Sequence, residues 1–163
     1  MLFRSPTPLN AAGQPDLAML ESAADSLGQV LKSRTLVINE STSFPGTLRE
    51  VIRGRIEAGS PQNHLYAISP ERVDPGNAAF GTRNTPRIVG GLSDEARELA
   101  VAFYRSFCDQ VVPVSSAEVA EAAKLLENTF RFINIGLVNE FAQIMGAMKI
   151  PVDEVLKAAA TKP

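Results

Sequence analysis

Two polar runs carry residue types suited to chemistry at an alcohol or carbonyl carbon. NESTSFPGT at 39–47 sets Thr42 just after an apolar stretch, and AISPERVDPGN at 67–77 does the same for Glu71. If both stretches are strands of an open α/β sheet, their exits lie where such sheets bind ligands, and Thr42 and Glu71 could share a crevice. On position alone, the plainer reading is that Thr42 caps a turn and Glu71 is a solvated loop carboxylate. Lys124 and Asn128 stand four apart, so on a helix an ammonium and an amide share one face and can meet one ligand. The plainer reading is a solvated face. Gly90 and Gly91 precede a helix start and could seat a phosphate, but without a full G-x-G-x-x-G they read as a tight turn. Cys108 has no histidine near it in sequence and reads as a partly buried, inert thiol. His64, at a strand start, reads as a hydrogen-bonded scaffold residue. One cysteine and one histidine exclude a disulfide framework and a His/Cys zinc cluster, so no metal is expected.

The elements that must position these residues follow from hydrophobic period. Leu17, Leu20, Ala24, Leu27 and Leu31 recur at three and four spacing and predict a helix over 16–32. TLVINE at 35–40 and HLYAIS at 64–69 read as buried strands, RIVGGL at 87–92 as a shorter one, and 110–114 as another. Between the first two, Thr47 and Glu50 form a capping box for a helix to about residue 56. Ser93 caps a helix running toward Phe107. Connections too long for hairpins make a mainly parallel sheet the economical topology. At Ser115 the character changes. Ser115 and Glu118 form a second box, and no breaker appears before Pro151, which permits a helix of about 30 residues, roughly 45 Å long. Its second half is apolar around most of its circumference and needs partners. A short helix over 152–160 follows.

Composition agrees with a globular α/β chain. The 163 residues hold 16 Lys+Arg against 18 Asp+Glu, a net charge of -2, and are 45% hydrophobic. The acidic balance and the lack of a basic run argue against nucleic acid or an anionic membrane as partner. MLFRSPTPLN has no apolar core of a signal peptide, which suggests a cytoplasmic chain. The short first strand, the abrupt end at ThrLysPro and the partnerless apolar helix suggest a piece of something larger.

Five segments, PTPLN at 6–10, ESTSFPGT at 40–47, SPERVDPGN at 69–77, RIVGG at 87–91 and AAKLLENTFRFINIGLVNE at 122–140, together resemble the UDP-glucose/GDP-mannose dehydrogenase family. Their order and spacing match along essentially the whole chain. The resemblance implies an α/β fold: the second half of a Rossmann-like NAD domain at 1–114, then a long helix opening an all-α central dimerisation domain at 115–163. EST-aromatic-PGT with SPERVDPGN is similar to the branch acting on UDP-N-acetylhexosamines, with UDP-N-acetylglucosamine as first substrate and UDP-N-acetylmannosamine as the other.

What the resemblance implies for function is an NAD-dependent twofold oxidation of a sugar C6 alcohol to the carboxylate, supplying surface polysaccharide precursors. It passes through an aldehyde and a cysteine thioester. By motif position Thr42 would orient water or cofactor, and Glu71 would act as base or water-positioning carboxylate. Lys124 would stabilise the oxyanion and Asn128 would hydrogen-bond the same oxygen. Pro6 and Thr7, with Thr42, would lie beside NAD. Pro75 stands where the family has a second loop glutamate, which argues against a two-carboxylate mechanism. No G-x-G-x-x-G precedes residue 6 and Cys108 is not the family's catalytic cysteine, so the chain alone is expected to be inactive. Expected partners are a UDP-sugar and a second copy, paired through the 118–148 helix. The competing expectation is a non-catalytic interaction or dimerisation module derived from that family.

Overall fold

The structure is a computed structural model that describes residues 1–74 and 76–162. Pro75, and with it the missing second loop glutamate, lies outside the described residues. Five strands, β1 (Leu2–Phe3), β2 (Leu36–Asn39), β3 (Leu65–Ile68), β4 (Arg87–Gly91) and β5 (Val111–Pro113), form one sheet in the order β1-β2-β3-β4-β5. The helices are α1 (Ala18–Val30), α2 (Arg53–Gly59), α3 (Asp94–Arg105), α4 (Ala117–Ala147) and α5 (Val152–Ala159). The chain divides into two compact units, Met1–Leu125 and Leu126–Pro163.

Strand alternation splits the core of the first unit. Val37, Tyr66 and Ile68 point to the side covered by α1, α2 and the start of α4, where they meet Leu20, Leu48, Ile52, Ile56 and Ala120. Ile38, Ala67 and Val89 point to the other side, where α3 brings Ala100, Val101 and Tyr104. Each large aliphatic side chain so buried contributes about 1.5–3 kcal/mol.

The sheet is mainly parallel, as expected, with one exception. β1, β2 and β3 run parallel, and so do β4 and β5, but β3 and β4 pair antiparallel, Ala67 against Gly91 and Ile68 against Gly90. β4 thus runs opposite to β3, which the length of the 69–86 connection alone did not reveal. Gly90 and Gly91 form neither a turn nor a phosphate seat. Both lie in β4, and a Cβ on Gly90 would sit 2.4 Å from the Ser116 carbonyl oxygen, one on Gly91 2.7 Å from the Arg97 nitrogen. Bare glycine lets the beginnings of α4 and α3 close onto the strand.

Two expected caps are corrected. Ser93 accepts from the Ala96 nitrogen as anticipated. The cap of α4, however, is Ser116, which accepts from the Val119 nitrogen at 3.3 Å, rather than Ser115. Thr47 and Glu50 form no box: residues Thr47–Ile52 make π-helical turns leading into α2, entered through Gly46 at φ 98° with no side-chain cap of its own. A left-handed entry of this kind favours glycine.

The second unit holds the remainder of α4 and α5. After α4 the chain turns on Lys149 at φ 58°. Leu126, Phe130, Phe132, Ile133, Leu137 and Ile144 are exposed, Leu137 to 64%, while Phe141 is half-buried. No helix among the described residues is long and apolar enough to cross a membrane.

Candidate functional site

The carboxyl ends of β1, β2 and β3 lie side by side because the three strands are parallel neighbours. Their exits are tied together by hydrogen bonds. The Ser5 nitrogen donates to Ser41 Oγ at 2.8 Å, and Thr7 Oγ1 donates to the Thr42 carbonyl at 2.7 Å. The Ser69 nitrogen donates to the Asn39 carbonyl and the Glu71 nitrogen to the Glu40 carbonyl. Thr7, Thr42 and Glu71 are half-buried and Pro6 is exposed. The structure thus gathers Pro6, Thr7, Thr42 and Glu71 along one sheet edge.

Glu71 is fully engaged. Its Oε1 accepts from the Arg72 and Val73 nitrogens at 2.8 and 3.0 Å, and its Oε2 accepts from Arg87 Nη2 at 3.1 Å and faces Arg4 Nη1 at 3.7 Å. Burial pushes its carboxyl up, but the Val73 and Arg72 N–H groups and the Arg87 and Arg4 guanidiniums outweigh it and hold the carboxyl below its ordinary value.

Behind Glu71 stands a cluster that the sequence did not disclose. Arg87, only 3% exposed, donates through Nη1 to Glu40 Oε1 at 2.9 Å while Nη2 holds Glu71. Tyr104 donates to the same Glu40 oxygen at 2.8 Å, and its ring lies 5.1 Å from the guanidinium carbon. Burial, with the Glu40 carboxylate beside it, raises the Tyr104 hydroxyl well above its ordinary value and keeps it protonated as the donor to Glu40.

The second disclosure is Glu121. This carboxylate is 1% exposed and accepts from the Gly46 nitrogen at 2.6 Å, the Leu48 nitrogen at 3.0 Å and Ser43 Oγ at 3.5 Å. It supplies from α4 the cap expected of Thr47 and Glu50. Burial pushes its carboxyl up, with the Leu48 and Gly46 N–H groups pulling the other way. An acid among Ala117, Ala120 and Val119 was the available signal: it interrupts the small apolar face of the helix. Lys124, half-buried, lies three residues further on, and Asn128 lies exposed in the second unit on the same continuous helix.

The two remaining reactive types are scaffold. Cys108 is buried, burial pushes its thiol up, and its Sγ lies 3.6 Å from the Thr82 carbonyl. His64 Nδ1 accepts from the Thr35 nitrogen at 3.1 Å, which leaves the proton on Nε2, 3.0 Å from Ser60 Oγ. Ser60 in turn donates to the Leu31 carbonyl.

Residues 1–108 match the NAD-binding domain of the UDP-glucose/GDP-mannose dehydrogenase family, and residues 118–163 match its central domain. The chain is 40% identical over 96% of its length to the UDP-N-acetyl-D-glucosamine 6-dehydrogenase of Pseudomonas aeruginosa, spanning 38% of that protein. It is 38% identical, again over 96% of its length and 38% of the relative, to the UDP-N-acetyl-D-mannosamine dehydrogenase of Pyrococcus horikoshii. The solved UDP-D-ManNAc dehydrogenase from Pyrococcus horikoshii superposes with a TM-score of 0.87 at 37% identity, covering 99% of this chain and 40% of that one. The chain therefore spans about two fifths of the length of these relatives. Matched over residues 1–108 and 118–163 by the two domains of one family, the chain belongs to the UDP-glucose/GDP-mannose dehydrogenase family.

Proposed function

We propose that this chain contributes Thr42, Glu71, Lys124 and Asn128 to NAD-dependent oxidation of the C6 alcohol of a UDP-N-acetylhexosamine to the carboxylate, with UDP-N-acetylglucosamine as first substrate. The observation that carries the reading is the convergence at one edge. Thr7 binds the Thr42 carbonyl, Glu71 follows the adjacent strand, and Glu121 fastens α4, three residues before Lys124, to the loop after Thr42. The identity to relatives named for these two substrates supports the substrate class. Residues 1–114 then form the dinucleotide side and 115–163 the start of the helical domain.

The residues present fit NAD. Pro6, Thr7 and Thr42 offer a small, partly open, uncharged rim at the carboxyl ends of parallel strands, where such cofactors bind. NAD, when bound, supplies the hydride acceptor. Lys124 stabilises the oxyanion that develops at C6, and Asn128, one helical turn on, donates to the same oxygen. Thr42 orients water or cofactor. Glu71 is held ionised with both oxygens occupied, so it serves as a fixed anion that positions water rather than as a strong base. Cys108 is buried and carries no acyl group. The apolar face of α4 pairs with a second copy.

The test is a hybrid in which these 163 residues replace the matched segment of the Pseudomonas aeruginosa relative. The hybrid should form NADH from UDP-N-acetylglucosamine, and the isolated chain should form none. A folded hybrid without activity, or sustained NADH production by the isolated chain, would overturn the reading.

A further inference from the structure

A fully buried carboxylate persists where donors replace its lost water. The donors that meet Glu121 all come from the stretch beginning one residue after Thr42: Ser43 Oγ, the Gly46 nitrogen and the Leu48 nitrogen. On the wet side of the same helical turn, Glu118 accepts from Arg49 Nε at 2.7 Å. The start of α4 is therefore clamped to residues 43–49 at two points, one buried and one exposed. We infer that Glu121 is a positioning residue, which fixes the loop carrying Thr42 against α4 and so sets the register between Thr42 and Lys124. This rests on the reading of Thr42 and Lys124 given above.

The chemistry of the side chain is specific. Both carboxylate oxygens are in use, Oε1 by Leu48 and Ser43 and Oε2 by Gly46. Glutamine keeps the shape but offers one acceptor oxygen and turns an amide donor against a backbone N–H. Aspartate falls one methylene short. Lys124 is three residues beyond Glu121, so the two share a helix face, and any rotation of α4 that frees Glu121 also moves Lys124.

Amide exchange in the 163-residue chain reads the clamp directly. In the wild-type chain the Gly46 and Leu48 amides should be protected at least about 100-fold relative to a free coil, and coil-like exchange there would overturn the proposal. In Glu121→Gln these two amides should exchange about 10-fold faster or more while Ala67, in β3, keeps its rate; unchanged Gly46 and Leu48 would overturn it. Arg49→Met removes only the exposed arm and should leave both amides protected. If it frees them by itself, the assignment to Glu121 falls, whether or not Glu121→Gln folds. In the hybrid, Glu121→Gln should lower kcat about 10-fold or more with KM within about twofold, as expected for misplaced chemistry rather than lost binding. Equal kcat would overturn the proposal. A hybrid inactive with Glu121 in place fails the dehydrogenase reading instead, and the exchange rates then decide for Glu121.

Discussion

Arg87 holds two carboxylates from different segments, Glu40 and Glu71, on the two ends of one guanidinium. Removing a buried partner leaves uncompensated charge, so Arg87→Met should cost about 3–5 kcal/mol in urea denaturation; a loss under about 1 kcal/mol would mean that the pair is solvated. Glu118 makes a contrasting prediction on the surface. The Arg49 hydrogen bond holds its carboxyl at about 2 instead of 4.5. A depressed carboxyl stabilises the fold in full above its unfolded value and loses that contribution as pH falls toward the folded one. The deficit of Glu118→Gln, under about 1 kcal/mol for so exposed a pair, should therefore be present at neutral pH and gone near pH 2. A deficit unchanged at pH 2 would contradict the pairing. At this scale Thr42, Glu71 and Lys124 stood out as candidates because short motifs surround them. Arg87, Glu40 and Glu121 were not, because their partners lie 16 to 78 residues away, and a local capping rule pointed to Thr47 and Glu50 instead.

The elements themselves were written plainly in the period of apolar residues. The helix expected over 16–32 appears as α1, Ala18–Val30, and the two buried strands appear as β2 and β3. The reversed direction of β4 was not legible, since RIVGG is equally apolar either way up and only its contacts decide. The π-helical turns over Thr47–Ile52 depend on Gly46 and on a carboxylate from another helix, which no local pattern encodes. Gly90 shows how closely the elements are fitted. A Cβ there would stand 2.4 Å from the Ser116 oxygen and 2.9 Å from the Ala117 Cα. Gly90→Ala should therefore destabilise the chain by about 1–3 kcal/mol, by parting β4 from the start of α4. Thermal melting equal to wild type would mean that this approach is looser than described.

For the whole molecule, the proposed pairing with a second copy rests on the apolar side chains of α4 past Leu125. Leu126, Phe130, Ile133 and Leu137 are exposed in the single chain, and each forfeits about 1.5–3 kcal/mol while it stays so. Light scattering coupled to size exclusion should give a mass above the 17.5 kDa of one chain, and Leu137→Glu with Phe141→Glu should shift it toward monomer. A well-behaved monomer would remove the pairing role assigned to this helix. The exposed apolar run was legible in the sequence, because the second half of the long helix is apolar around most of its circumference. Whether Lys124 and its neighbours serve a dehydrogenase site is read from turnover of the Lys124→Ala hybrid. Loss of an oxyanion donor should lower kcat roughly 100-fold or more with the protein still folded. Turnover equal to that of the unsubstituted hybrid would leave Lys124 a surface residue and contradict the account.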